Sequence, residues 1–130
     1  MPSLLIIDDD QTIRMLFQYV FQDGGYDVYT AENGQDALDK LDQFTPDFML
    51  VDVAMPVMGG TKFVETLRKL SASKPHLKEI PFIVMTGENF MESGLNKVFQ
   101  ESPGFRAFVP KMTQPEIVLG QVNEILNPPQ

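Results

Sequence analysis

Short apolar runs alternate along this chain with segments whose apolar residues recur at helical spacing. The first run, residues 4–7 (LLII), goes straight into Asp8, Asp9 and Asp10. Ile13, Leu16, Phe17, Val20 and Phe21 then fall at i, i+3, i+4, i+7 and i+8, which predicts one helical face. Gly24-Gly25 stops that helix. Residues 26–31 (YDVYTA) alternate as a short strand, and Asn33-Gly34 turns the chain. Ala37, Leu38, Leu41 and Phe44 mark a second helix that closes before Pro46. Residues 48–52 (FMLVD) form a continuous apolar run, the kind buried on both faces of a parallel sheet.

The loop VAMPVMGG leads to a third helix, with Phe63, Val64, Leu67 and Leu70 inward and Thr61 as N-cap. Residues 71–79 are polar and read as a loop, and 80–87 (IPFIVMTG) are a fourth strand ending at glycine. A weaker helix covers 90–100, with Leu95, Val98 and Phe99 inward. Residues 105–111 (FRAFVPK) form a last short strand. Pro115 suits N1 of a final helix carrying Ile117, Val118, Val122 and Ile125.

Strand and helix thus alternate five times, the pattern of a parallel sheet with helices on both faces. Pro110 lies inside the fifth strand, where its missing N–H restricts that strand to an edge. The order 2-1-3-4-5 meets this condition and predicts a single flavodoxin-like, doubly wound α/β domain. Its expected extent is residues 1–126, with 127–130 (NPPQ) a tail or the start of a linker.

Composition narrows the function. The 130 residues are enough for one domain with a real core, at 43% hydrophobic and 22% charged content. A net charge of −8 disfavours a nucleic-acid surface and docking on anionic membrane. With no cysteine there is no disulfide, thiolate nucleophile or thiolate metal site. No basic n-region precedes the first apolar run, and no stretch approaches the ~20 apolar residues of a membrane span. The expectation is a soluble cytoplasmic protein.

Sites in such sheets lie beyond the carboxyl ends of the strands. There the sequence places Asp8, Asp9 and Asp10, then Asp52, Thr86 and Lys111 on successive runs. Adjacent carboxylates repel by about 1 kcal/mol per close pair in water and by more in a cleft, so they need protons or a cation. Oxygen-only ligands select a hard ion such as Mg²⁺, which keeps room for waters and phosphate oxygens. A lysine and a hydroxyl opposite suit a phosphoryl group. An aspartate there can act as nucleophile and form an acyl phosphate.

Four motifs in this order, IIDDDQTIR, LVDVAMP, VMTG and FVPK, resemble the receiver domain of bacterial response regulators over essentially the whole chain. The resemblance implies Asp8 and Asp9 as the acidic pair, with Asp9 a direct Mg²⁺ ligand. It makes Asp52 the phosphoacceptor and a further ligand, and the Ala54 carbonyl a third. Thr86 would bond the phosphoryl group, Lys111 would pair with it, and Phe108 matches the switch aromatic. It implies phosphoryl transfer from a sensor histidine kinase or phosphotransfer protein. It also implies an effector face on the fourth helix, fifth strand and fifth helix, around Phe105 and Phe108, with the option of a phosphorylation-dependent dimer. Two positions depart from the family pattern: Met112 follows the lysine where proline is usual, and Phe108 replaces the commoner tyrosine. A cis bond to a non-proline residue costs ~2.5–4 kcal/mol, so the Lys111–Met112 peptide is expected to be trans, with Lys111 still in the cleft.

Simpler readings exist for each residue. Asp10 alone can cap the first helix, and Asp52 can be a capping residue. Thr86 is a common structural threonine, Lys111 a common surface lysine, and His76 has no partner pattern. Met55 and Met58 read as loop and core filler. One enzymatic rival fits LLIIDDDQT: the haloacid-dehalogenase-type phosphatases, with Asp8 as nucleophile, Asp10 as general acid and Lys111 in the third motif. That family needs an acidic pair after the lysine, where only Glu116 and Glu124 remain, and it leaves Asp52 unexplained. A flavin module is weaker, because flavin phosphate needs neutral donors rather than acids. A degenerate receiver acting as a phosphorylation-independent binding module is the remaining alternative.

Overall fold

The computed structural model describes residues 1–53, 55, 57–87 and 96–127. Strands β1 (Ser3–Ile7), β2 (Asp27–Ala31), β3 (Phe48–Asp52), β4 (Phe82–Thr86) and β5 (Phe105–Pro110) form one parallel sheet in the order β2-β1-β3-β4-β5. Helices α1 (Gln11–Asp23), α2 (Gly34–Leu41), α3 (Gly60–Leu70), α4 (Asn96–Gln100) and α5 (Pro115–Leu126) connect and cover it. The flavodoxin-like arrangement expected from the sequence is the one observed, and Pro110 sits on an edge strand.

The continuous apolar strands are explained by two cores, one on each face. Leu5, Ile7, Met49, Val51, Phe82 and Val84 pack with α2, α3 and Phe99 of α4. Their alternate neighbours Leu4, Ile6, Phe48, Leu50, Ile83 and Met85 pack with Phe17 and Phe21 of α1 and Val118 and Val122 of α5. Since side chains alternate across a strand, a run apolar at every position is needed only where both faces are covered.

Several local expectations change. Asn33 is the N-cap of α2, accepting from the Asp36 N–H at 2.8 Å, rather than part of a free turn. The cap of α3 is Gly59, with no side-chain bond, so Thr61 lies inside the helix. The polar segment after α3 contains a 3-10 helix, Pro75–Glu79, whose Leu77 is buried. Leu16, Leu70 and Ile117, counted as inward, are all exposed. Ile117 falls about 100° around the helix from buried Val118, outside the stripe that Val118 and Val122 turn toward the sheet. Leu16 lies on the margin of its stripe, and Leu70 lies in the last turn of α3. In the weaker fourth helix Phe99 is buried, while residues 90–95, including Leu95, lie outside the described residues.

Strand β5 carries an irregularity the sequence did not reveal. Phe82 pairs with Phe105, but Ile83 pairs with Ala107, so Arg106 is an extra residue opposite the step between them. A bulge of this kind reverses the alternation of the residues before it. Phe105 and Phe108 therefore share the face of the α2–α3–α4 core, and Ala107 packs on the other.

Candidate functional site

The carboxyl edge of β1 and β3 is where the acids meet. Asp8 follows Ile7 and continues the sheet by donating its N–H to the Ala31 carbonyl at 3.0 Å. Asp52 ends β3. Both are buried, whereas Asp9 is exposed. One carboxylate oxygen from each of Asp8, Asp9 and Asp52 lies within 4.8 Å of the others, close enough for a single ion to bind all three.

Lys111, just past β5, reaches into this group. Its Nζ donates to Asp52 Oδ2 at 2.9 Å and lies 3.7 Å from Asp8 Oδ1. Its own N–H donates to the Thr86 carbonyl at 2.8 Å, which fixes its backbone at the edge. No cis peptide occurs among the described residues, so the Lys111–Met112 bond is trans and Lys111 still enters the cleft. Met112 is 94% exposed beside it.

The charges do not balance. Burial pushes the Asp52 carboxyl up to about 6; the Lys111 hydrogen bond opposes this and the Asp8 charge adds to it. Burial likewise raises Asp8, against the Asp10 N–H and the Lys111 charge. Burial by itself would lower Lys111, but its hydrogen bond to Asp52 and the surrounding acids outweigh that and raise it. The directions agree once stoichiometry is considered: one ammonium is shared by several carboxylates, so its charged form is favoured while theirs is not. The acids are short of positive charge, and a dication fits this donor set.

Asp10 does what the simpler reading proposed: its carboxylate accepts from Thr12 N–H at 2.8 Å and Ile13 N–H at 3.2 Å, capping α1. The general acid of the phosphatase reading is thus engaged as a cap. Thr86 is buried at the end of β4, paired with Pro110. Strand alternation places it on the same face as Val84, which pairs with Phe108. Phe108 is packed, with ring centroids 4.7 Å from Phe105 and 6.1 Å from Phe99. Ala54, expected to lend its carbonyl, lies outside the described residues.

Two contributors were not anticipated. Gly60 opens α3 directly against the site strand: its N–H donates to the Val53 carbonyl at 2.8 Å, and a Cβ there would collide with the Asp52 carbonyl oxygen. The paired glycines of the loop were its only sequence signal. Arg14 donates from Nη1 to the Asp8 carbonyl at 2.7 Å. Its signal was a cation in the first turn of a helix, where the dipole disfavours one.

The family model for the response regulator receiver domain matches residues 4–123. The chain is 31% identical over 120 residues to chemotaxis protein CheY of Listeria monocytogenes, covering 92% of this chain and 93% of that protein. It is 29% identical over 124 residues to the alkaline phosphatase synthesis transcriptional regulatory protein PhoP of Bacillus subtilis, covering 95% of this chain and 48% of that one. Other curated relatives are longer, the chain spanning 16% of one and 22% of another. Its fold is similar to the solved structure of chemotaxis response regulator CheY4 of Vibrio cholerae, with TM-score 0.79 and 31% identity, covering 96% and 98% of the two chains. The family match begins in the first strand and ends in the last helix, so the acidic edge and the sheet that builds it both fall inside it. The chain belongs to the response regulator receiver domain family, the signalling phosphoacceptors of two-component systems.

Proposed function

We propose that Asp52 is the phosphoacceptor and that Asp8, Asp9, Thr86 and Lys111 complete the site around it. The observation carrying this reading is the position of Asp52: buried at a strand end, bonded to Lys111, and grouped with two more carboxylates. An Asp52 carboxylate oxygen forms a bond to the phosphorus of a phosphohistidine, and the phosphorus–nitrogen bond breaks to release the imidazole. The product is an acyl phosphate on Asp52.

Asp8, Asp9 and Asp52 would hold Mg²⁺, together with the Ala54 carbonyl that the family pattern implies. Bound there, the ion supplies positive charge to the carboxylates and to the phosphoryl oxygens. Lys111 offers an ammonium to the same oxygens, and the Thr86 hydroxyl offers a neutral donor. Drawing Thr86 toward the phosphoryl group vacates space on the face it shares with Phe108, and Phe108 turns into it as the switch. The change is read by an effector on the α4–β5–α5 face, with a phosphorylation-dependent dimer as one form of output. A sensor histidine kinase or phosphotransfer protein in the cytoplasm is the donor. Residues 1–126 act as the receiver unit and 127–130 as its tail or linker.

Incubation with Mg²⁺ and a small acyl phosphate, borohydride trapping and peptide mapping test the assignment. The label is expected on Asp52 and is abolished by Asp52→Asn with the fold intact. A label on Asp8 that survives Asp52→Asn, with turnover of phosphate esters, would overturn it.

A further inference from the structure

Arg14 stands beside three consecutive acids, yet among the described residues it forms no ion pair. Its Nη1 donates instead to a neutral group, the backbone carbonyl of Asp8, at 2.7 Å. Three more polar groups of this turn are also fixed. The Asp8 N–H is bonded to Ala31, Asp8 Oδ1 accepts the Asp10 N–H at 2.9 Å, and the Asp10 carboxylate caps α1. The Asp8–Asp9 peptide is therefore anchored through Arg14 at its carbonyl. Asp9 differs from its neighbours: among the described residues its carboxylate has no hydrogen bond or ion pair, so the backbone alone aims it.

We infer that Arg14 is a positioning residue for the acid pair. It holds the Asp8–Asp9 peptide so that the exposed Asp9 carboxylate stays within reach of Asp8 and Asp52, and it takes up none of the three residues' carboxylate oxygens itself. The inference rests on the reading of Asp8, Asp9 and Asp52 as the cation site. Its consequence has a sign opposite to that of simple electrostatics. Removing a positive charge near a dication site strengthens binding if charge is all that matters. Removing a group that orients a ligand weakens it, often by tenfold or more.

The test uses Mg²⁺ alone, titrated into the intact chain and followed by backbone amide shifts, for the unmodified protein and for Arg14→Met, Arg14→Gln and Arg14→Lys. Both neutral variants are expected to bind Mg²⁺ roughly tenfold more weakly, with the Asp9 and Asp10 amides already displaced before metal is added. Lysine, which keeps a charged donor of similar reach, is expected to restore affinity to within about threefold. Should Arg14→Met fail to fold, Arg14→Gln carries the comparison, being polar and tolerated in a half-buried helical position. Neutral variants that bind Mg²⁺ as tightly as the unmodified protein, or more tightly, overturn the role of Arg14 and leave the cation site standing. An unmodified protein with no Mg²⁺-dependent shifts at residues 8–10 and 52 overturns the site itself.

Discussion

Phe105 and Phe108 stand three residues apart in one strand, yet their rings pack on the same face of the sheet with centroids 4.7 Å apart. Regular alternation would put them on opposite faces. The extra residue at Arg106 removes that alternation and builds an aromatic group in which Phe105 meets Phe82 and Phe108 meets Phe99. The aromatic expected to act as a switch is thus packed against a second ring supplied by its own strand.

Phe105→Ala is expected to destabilise the domain by about 2–3 kcal/mol, the cost of a partly buried phenyl and its ring contacts. It should also loosen Phe108. Urea unfolding measures the first effect, and broadening or displacement of the Phe108 ring resonances the second. A Phe108 ring unaffected by the change would show that the two do not act together.

Gly60→Ala places a methyl group against the Asp52 carbonyl oxygen, a backbone atom that cannot swing aside, so the start of α3 must move away from β3. The expected outcome is a loss of about 1–3 kcal/mol in stability. Labelling of Asp52 by an acyl phosphate should slow by more than the small fraction unfolded accounts for. Gly120→Ala makes a suitable control, since a Cβ there meets nothing within 4 Å.

The pH dependence follows from the raised Asp52 carboxyl. Its folded value, about 6, lies above the usual 3.8, so below about 6 the native state takes up a proton that the unfolded chain does not. Stability from this group therefore rises as pH falls from about 6 toward 3.8, and is lowest at neutral pH. Without metal, Asp52→Asn should stabilise the domain at pH 7.5 by about 1–3 kcal/mol, because asparagine keeps an acceptor for Lys111 and removes the buried charge. The difference should shrink as pH is lowered through 6. Mg²⁺ affinity should run the other way, weakening below pH 6 by up to about tenfold per unit as protons compete for the site. Thermal scans and Mg²⁺ titrations at pH 5 to 8 read both trends.

Val57 is 85% exposed and has φ +70, a left-handed conformation that a β-branched residue adopts at a cost of about 1–2 kcal/mol. Its side chain gains little packing in return. Val57→Asn is expected to raise the unfolding free energy by about 1 kcal/mol, measured by urea titration. A destabilised variant would mean that the exposed isopropyl group contributes more than its exposure suggests.

The class of the fold and the edge where chemistry collects were legible in the chain, and Pro110 narrowed the strand order to those with strand five on an edge. These are local or combinatorial properties: periods of 2 and 3.6, a proline confined to an edge, and polar residues ending apolar runs at Asp8, Asp52, Thr86 and Lys111. What depends on distance between segments far apart in the chain emerged only on folding. That Lys111 bonds Asp52 across 59 positions is one case, and the approach of Gly60 to the Asp52 carbonyl is another. Helical periodicity counted Leu16 and Leu70 as inward because it records a face, not how far the sheet beneath it extends. The bulge at Arg106 was invisible for a related reason. A bulge is a mismatch between two paired strands, and neither strand's own pattern contains the register of the other.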